Sequence, residues 1–559
     1  MGKTAHAPAA PTRQGARASA ANEGDLKRLL IPLAAILAAI AAAGGASADA
    51  LLRVGVADDW PAYHPCGDVW WASASDIGLD ELRLTVQWNG TPAIVNEGGL
   101  QTAVACAQLS GVRPVLAIYP KWPTMIGNDT AAQRAFAQFV ALVGQTFPQV
   151  DDFVVGNEPN VNRFWQPQFR HGADAAATDY EHTLARSYDA LKLVRPDASV
   201  WGPAISSRGN DSPSASSNPG HSPVRFIEEL GAAYRASHRT RPLFDQFDMH
   251  PYPRVQDTDS YAMPFRWPQA GAANLDRIKQ ALWDAFHGTA QPVPAEQPSG
   301  AAPAAGTLPI DLDEAGSQTT IAEPDAAAYT DGPESIAPIT PGQQAAFYRQ
   351  LIQIAACDPD VQSLMFFPLI DDPDLGHGFQ SGVMYADLGH KQSYDALKQA
   401  LAAPGGLCTS GLVARWRHTT QVVGATASFV VRRTATGRRI LRLHVTAGEA
   451  ATYRAGVFRV TRPGLPTADA VERALESARA PQLLADATTG AIPAYSRPSL
   501  AFASRGLGPG TYVCGVTLAA AADPARTTTF VSRPFRVTAR PPARAAPAAR
   551  PARSADAPG

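Results

Sequence analysis

The sequence predicts an α/β chain: a (β/α)8 barrel followed by a small all-β, immunoglobulin-like sandwich. Three observations predict it. Short apolar runs alternate with helix-patterned segments over most of a 559-residue chain. A Pro404-Gly405-Gly406 break ends that alternation. Beyond it lie short apolar runs, and Tyr512 stands two residues before Cys514, the local pattern of a tyrosine corner.

The elements follow in order. Lys27-Arg28 precedes an apolar run over residues 29–43, then Gly44-Gly45 and Ala46-Ser47-Ala48. A basic lead, an apolar core and a small-residue cleavage site make residues 1–48 a secretory signal peptide with an extended n-region. The expected location is secreted or extracytoplasmic. The alternative is an uncleaved segment 29–43 that anchors the chain in a membrane, although this run is shorter than the about 20 residues of a span.

Residues 49–403 form the expected barrel. Its strand candidates are 53–57, 82–87, 114–119, 152–156, 200–203, 246–250, 309–313 and 363–369. Between them lie amphipathic segments. In 130–147, Phe136, Phe139, Val140, Val143 and Phe147 recur at helical spacing, and Thr130 with Gln133 reads as a capping box. Eight such units fit a closed barrel. A doubly wound open sheet is the rival, but no Gly-rich dinucleotide fingerprint follows the first strand. Long strand-to-helix loops, 206–223, 253–273 and 319–341, belong on the C-terminal face, where barrels build their sites. The Pro/Ala-rich 288–307 precedes a strand and is expected to be a mobile insertion on the opposite face. Residues 404–410 are a linker, 411–538 the sandwich, and 539–559 a disordered Pro/Ala/Arg-rich tail.

Composition narrows the partners. A net charge of -2 offers no electrostatic footprint for nucleic acid. There are five cysteines, so at least one stays outside any intramolecular pair. Cys408 with Cys514 is the expected pair, Cys66 with Cys106 the weaker one, and Cys357 reads as a buried thiol. No CxxC pair or Cys/His cluster has zinc spacing, so neither metal nor cofactor is expected.

Two carboxylates carry the chemistry. Phe153-Val154-Val155-Gly156-Asn157-Glu158-Pro159 is an apolar strand ending in Glu158, and Leu308-Pro309-Ile310-Asp311-Leu312-Asp313-Glu314 ends in Glu314. Strand ends meet at one mouth of a barrel, so residues distant in sequence converge there. Such a pair suits glycoside hydrolysis, with Glu158 as acid/base and Glu314 as nucleophile. Period-two alternation puts Leu308, Ile310, Leu312 and Glu314 on one face. Because branched residues fill barrel interiors, that face is expected to point inward, with Asp311 and Asp313 toward the helices; the opposite choice makes Asp313 the rival carboxylate.

Asn157-Glu158-Pro159 after strand four, with a Glu ending strand seven, resembles the clan A retaining glycoside hydrolases, the superfamily of cellulase, mannanase and β-xylosidase barrels. The resemblance spans residues 51–403. It implies that Asn157 hydrogen-bonds a sugar 2-hydroxyl and that Arg83 supports the nucleophile. It also implies that His250 and Tyr252 line the catalytic subsite, with Tyr252 hydrogen-bonding Glu314. The chain departs from the pattern at strand eight, where Leu364-Met365-Phe366-Phe367-Pro368 lacks the Trp that many members place under the sugar. Asp313 beside Glu314 is expected to raise its pKa by like-charge repulsion.

Trp60, Trp70, Trp71, Trp88, Trp122 and Trp165 fall at or just after strands one to four. They read as a saccharide-stacking rim, with Trp88, Trp122 and Trp165 as substrate contacts; the alternative for each is loop packing. His250 with Asp248 also reads as a metal pair of a barrel hydrolase, though the HxH motif such sites use is missing. Asp371, Asp372 and Asp374 read as a solvated loop, with substrate or calcium contact as the alternative. The expected partner is an oligo- or polysaccharide. The rival function is a non-catalytic carbohydrate-binding or cell-surface protein on the same scaffold.

Overall fold

The computed structural model describes residues 52–538, except 256–257, 298–305, 323–324, 331, 333–335, 405, 434–438, 461–465, 477–487, 495 and 504–506. The expected signal peptide and the C-terminal tail lie outside the described residues. Among those described, no helix is long and apolar enough to cross a membrane.

Eight parallel strands carry the first part: β1 Arg53–Ala57, β2 Glu81–Trp88, β3 Arg113–Pro120, β4 Asp152–Val155, β5 in two pieces (Ser199–Trp201 and Ile205–Ser206), β6 Phe247–His250, β7 Ile310–Ala315 and β8 Val361–Phe366. Each is followed by a helix: α1 Val69–Ile77, α2 Glu97–Leu109, α3 Thr130–Thr146, α4 Ala176–Val194, α5 Pro223–Ala236, α6 Leu275–Phe286, α7 Pro341–Ala356 and α8 Gln392–Leu401. The first piece of β5 pairs with β4 and the second with β6, so the sheet closes on itself. This is a (β/α)8 barrel, and its strands sit within a few residues of the expected segments.

Helix packing follows the apolar stripes. On α3, Phe136, Phe139, Val140 and Val143 are buried together with the capping Phe147. Each such side chain contributes about 1.5–3 kcal/mol on burial. The helix starts one residue earlier than the expected capping box: Asp129 is the N-cap, accepting from Ala131 and Ala132 N–H, while Gln133 reaches back to the Gly127 carbonyl. A carboxylate at that position also faces the positive end of the helix dipole. The full capping box is on α7, between Thr340 and Gln343.

The barrel interior differs from expectation. Leu308, Ile310 and Leu312 join the large core beneath the helices, with Tyr348, Leu351 and Ile352 of α7. Asp311 and Asp313 are fully buried and face the lumen, where Asp313 meets Arg83 of β2 and His250 of β6. Branched residues fill a lumen only when nothing polar needs it; here charges of both signs from several strands pair across it. Glu314 still reaches the mouth because the β7–β8 register shifts between Leu312 and Ala315. That irregularity breaks the period-two alternation that the sequence argument assumed.

After the barrel, β9 Thr426–Arg433, β10 Arg439–Thr446 and β13 Ser499–Ala503 form a three-stranded antiparallel sheet. A five-stranded antiparallel sheet contains β11 Ala451–Arg459, β12 Thr488–Ile492, β14 Gly510–Ala520, β15 Thr527–Val531 and β16 Phe535–Val537. One helix, α9 Ala468–Glu476, packs near β14 through Val471. Leu443 and Val445 of the first sheet share a core with Val457, Cys514 and Val516 of the second. Arg526 ties this part to the barrel, pairing with Asp284 of α6 at 3.0 Å and with Glu449 at 2.7 Å.

The cysteines pair as Cys66–Cys106 and Cys357–Cys408, leaving Cys514 free and buried. The expected Cys408–Cys514 pair is therefore incorrect, and Cys357 is no thiol. Cys514 lies inside the sandwich core, whereas Cys408 follows the barrel's last helix and folds back to the end of α7. The described part of the Pro/Ala-rich insertion is also not the expected mobile segment. Gln291, Ala295 and Gln297 are buried, and Gln297 N–H bonds the Trp416 carbonyl. Asp371 corrects the expected solvated loop, because it is buried against Lys391 Nζ at 2.7 Å and the Tyr329 hydroxyl.

Candidate active site

At the C-terminal mouth of the barrel, Asn157, Glu158, Arg83, His250, Tyr252, Asp313 and Glu314 form one connected cluster. Glu158 lies three residues past β4. Gly156 permits the turn: its φ is 107°, and a Cβ there would meet the Tyr180 ring at 2.8 Å. Glu158 itself has φ 40°, a left-handed conformation that costs a non-glycine residue about 1–2 kcal/mol. The fold holds it there. Glu158 N–H donates to the Ala204 carbonyl at 2.9 Å, and Ala204 N–H is in turn fixed by Asp248. Two residues on, buried Asn160 donates to the Ser206, Arg208 and His221 carbonyls and accepts from Ser206 N–H.

Glu314 is surrounded by donors. The Tyr252 hydroxyl donates to its Oε1 at 2.7 Å, and Arg83 Nη1 donates to Oε2 at 3.3 Å. Arg83 is almost wholly buried and is shared: its Nη2 donates to Asn157 Oδ1 at 2.8 Å, and its Nε pairs with Asp313 at 3.0 Å. His250 links the two strand ends. Its Nδ1 stands 3.0 Å from Glu158 Oε1 and 3.8 Å from Glu314 Oε2, and its Nε2 stands 3.4 Å from Asp313 Oδ1.

The electrostatics follow from these contacts. Burial pushes the Glu314 carboxyl upward, but His250, Arg83 and the Tyr252 hydrogen bond outweigh it and hold the group below its ordinary value. The upward shift expected from Asp313 is thus overturned, because Arg83 and His250 neutralise that neighbour. Burial disfavours a charged His250, yet Glu314, Asp313 and Glu158 raise its pKa to about 9. Asp313 and Asp248 are raised, chiefly by burial.

The tryptophans do not build the expected rim. Trp88 is 4% exposed and packs edge-on against Phe136; Trp165 is 2% exposed and packs against Tyr180. Trp70 and Trp71 are core residues, and Trp60 stacks on His64. Trp122, 60% exposed beside Lys121, is the one of these that stands in solvent. Large aromatics at strand ends were needed to close the strand-to-helix loops onto the barrel. Asp58 serves the same end, accepting from Trp60 N–H, Trp70 Nε1 and Leu369 N–H.

Two site residues, Arg163 and Tyr119, escaped the sequence reading. Arg163, in the loop after β4, contributes to the charge field that stabilises ionised Glu314. Asp59 accepts from Thr85 N–H at the mouth, on the solvent side. Tyr119 of β3 reaches Thr85 at 3.5 Å and packs edge-on against Phe164. Inward alternation from Val115 through Ala117 to Tyr119 was the signal for Tyr119; nothing marked Arg163. In the departed strand-eight position, half-buried Phe367 packs edge-on against Phe379 at 5.1 Å.

No family model and no curated protein matches the chain. Among solved structures, a family 39 glycoside hydrolase from Bacteroides cellulosilyticus WH2 is similar at 15% identity. That alignment covers 75% of this chain and 74% of the other, with a TM-score of 0.43. A glucosidase from Croceicoccus marinus is similar at 13% identity over 81% of this chain and 93% of the other, TM-score 0.42. A family 1 β-glucosidase from Thermotoga maritima is similar at 11% identity over 62% and 96%, TM-score 0.38.

Proposed function

We propose that the chain is a retaining glycoside hydrolase, with Glu314 as nucleophile and Glu158 as acid/base. The observation that carries this reading is the meeting of both carboxylates at one nitrogen, His250 Nδ1, at 3.0 and 3.8 Å. Their nearest oxygens cannot be farther apart than those two distances laid end to end. That limit admits the separation of about 5–5.5 Å used in retention and reaches only the low edge of the roughly 6.5–9.5 Å that leaves room for water in inversion.

The two carboxylates are treated differently, as double displacement requires. Glu314 is held ionised and fixed by Arg83 and Tyr252, so its lone pair is available to the anomeric carbon. As the new C–O bond forms, the glycosidic C–O bond breaks and Glu158 gives its proton to the leaving oxygen. Glu158 then takes a proton from water, which attacks the anomeric carbon and expels Glu314. Asn157, with its Oδ1 committed to Arg83, is left to offer its Nδ2 to a sugar hydroxyl. The substrate is an oligo- or polysaccharide.

Release of aryl glycosides and polysaccharide ends tests the reading. Glu314→Gln is expected to abolish turnover, and Glu158→Gln to spare substrates whose leaving group needs no proton. Wild type indistinguishable from both variants on every substrate would leave the non-catalytic carbohydrate-binding reading in its place.

Two further parts belong to this proposal. Export into an oxidising compartment is supported by the Cys66–Cys106 and Cys357–Cys408 disulfides; retention of the mature chain in the cytoplasm of its native host would refute it. An immunoglobulin-like character for the C-terminal sheets is supported by the Tyr512 hydroxyl, which donates to the Gly508 carbonyl at 2.7 Å as a tyrosine corner does.

A further inference from the structure

Behind the loop that carries Glu158, away from the mouth cluster, three potential ligands converge. Asp174 lies in a short hairpin, Phe169–Arg170 with Ala173–Asp174, just before α4. His221 precedes the N-cap of α5, and Glu229 projects from its second turn. One ligand atom from each lies within 4.8 Å of the others. His221 is 1% exposed, and its Nε2 is 3.1 Å from Glu229 Oε2 and 3.3 Å from Asp174 Oδ1.

The tautomer of His221 is fixed from behind. Gln168 Nε2 donates to the Pro159 and Trp165 carbonyls, which orients its Oε1 toward His221 Nδ1 at 3.0 Å. Gln168 Oε1 can only accept, so Nδ1 carries the hydrogen in the neutral ring and Nε2 presents its lone pair to the two carboxylates. This outer hydrogen bond is the arrangement that orients metal-bound histidines. Despite the short distances, His221 Nε2 and Glu229 Oε2 are buried without a hydrogen-bond partner. A simple imidazolium–carboxylate bond therefore lacks the needed geometry. Ligand atoms about 2.0–2.2 Å from a tetrahedral ion stand roughly 3.3–3.6 Å apart, close to the two distances from His221 Nε2.

The remaining polar contacts leave these atoms available. Asp174 Oδ1 also accepts from Ala177 N–H, and Oδ2 accepts from Thr178 N–H and Oγ1. Arg225 occupies Glu229 Oε1 only. Imidazole with two carboxylates selects a transition metal over calcium or magnesium, which favour oxygen alone.

We infer that Asp174, His221 and Glu229 bind one divalent transition-metal ion, zinc by their chemistry, with water completing the set. The ion joins the segment before α4 to the start of α5. His221 is itself locked to Asn160 by paired bonds of 2.7 and 2.9 Å, two residues from Glu158. The site thus fastens the loop that positions the carboxylate, without touching a reacting atom. This was invisible to motif spacing, since its three ligands come from separate turns of the chain.

The full chain, stripped with a chelator and dialysed against zinc chloride, tests this by elemental analysis and thermal unfolding. One equivalent of zinc is expected, with Tm raised by about 2 °C or more at saturation. Cobalt(II) in its place is expected to give the visible absorption of a low-coordinate site. Glu229→Gln and His221→Gln are expected to weaken zinc binding at least tenfold. Zinc far below one equivalent in wild type, or bound equally by Glu229→Gln, overturns the inference; the wild-type measurement decides even if a variant does not fold.

Discussion

The floor and the mouth of the barrel are built from the same materials and do different things. At the floor, Arg53 and Arg113 reach inward to Glu81, Arg113 also pairs with Asp152, and Ser363 donates to Glu81. At the mouth, Arg83 meets Asp313 and Glu314, and His250 meets Glu158. Glu81 and Asp152 are wholly buried, with their lone pairs taken by arginines whose own side chains are 30% and 34% exposed. Glu158 and Glu314 are 14% and 16% exposed. The floor thus closes carboxylates off from anything but protein, while the mouth fixes two carboxylates and leaves an edge of each for a substrate. An arginine–carboxylate cluster in a barrel marks chemistry only where the carboxylate stays reachable.

The largest expected effect breaks this contrast at the mouth. Glu314→Gln should lower kcat on an aryl glycoside at least about 10³-fold with only a small fall in Tm, because the amide keeps the shape and loses only the charge pairing with Arg83 and His250. Activity and differential scanning on the same preparation check it. A fall in Tm as large as that of Glu81→Gln would make Glu314 a structural residue like those of the floor. The opposite pattern is expected at Glu81. Glu81→Gln strands Arg53 and Arg113 against a neutral amide, and should destabilise the fold by about 3 kcal/mol while leaving kcat/KM of the folded fraction within about twofold. Denaturant unfolding and initial rates separate the two outcomes.

That contrast also explains what could be read in advance. The strand positions were legible because strands in a parallel barrel are apolar runs with abrupt ends, and both Glu158 and Glu314 stood at such ends. The facing of β7 was not. Asp311 and Asp313 look like solvent-side residues until their partners Arg83, His250 and the floor charges are known, and these come from distant strands. The bulge that returns Glu314 to the mouth has no residue signature in Leu312-Asp313-Glu314. The rim failed for a related reason: a tryptophan is a sugar platform or a loop anchor by its exposure, and Trp88 and Trp165 are anchors. Asn160 was adjacent to the motif yet unread, since its role lies in carbonyls more than forty residues away.

A smaller effect sharpens the contrast within the mouth. Tyr252→Phe removes the 2.7 Å bond to Glu314, one of the contacts that lowers its pKa. The acid limb of the kcat/KM profile should therefore move to higher pH, with kcat reduced about 10–100-fold. An unmoved limb with reduced kcat would mean that Tyr252 acts on substrate alone.

The smallest effect is a pH dependence of stability. His250 gains partners on folding, so its pKa rises from the ordinary 6.5 to about 9. The folded state then binds the proton more tightly than the unfolded chain, and the stabilisation is complete below pH 6.5. It is lost as pH rises through about 9, where both states carry a neutral ring. Tm of wild type should fall by a few degrees more between pH 6.5 and 9.5 than Tm of His250→Gln, which has no proton to lose. The floor offers no titrating histidine, but burial and Glu81 together raise its Asp152 and Asp311, so His250→Gln, not Glu81→Gln, is the variant that isolates the imidazole. Equal slopes for wild type and His250→Gln would show that the imidazolium is not what holds the two strand ends together, and would return the pairing of Glu158 with Glu314 to Arg83 and the backbone.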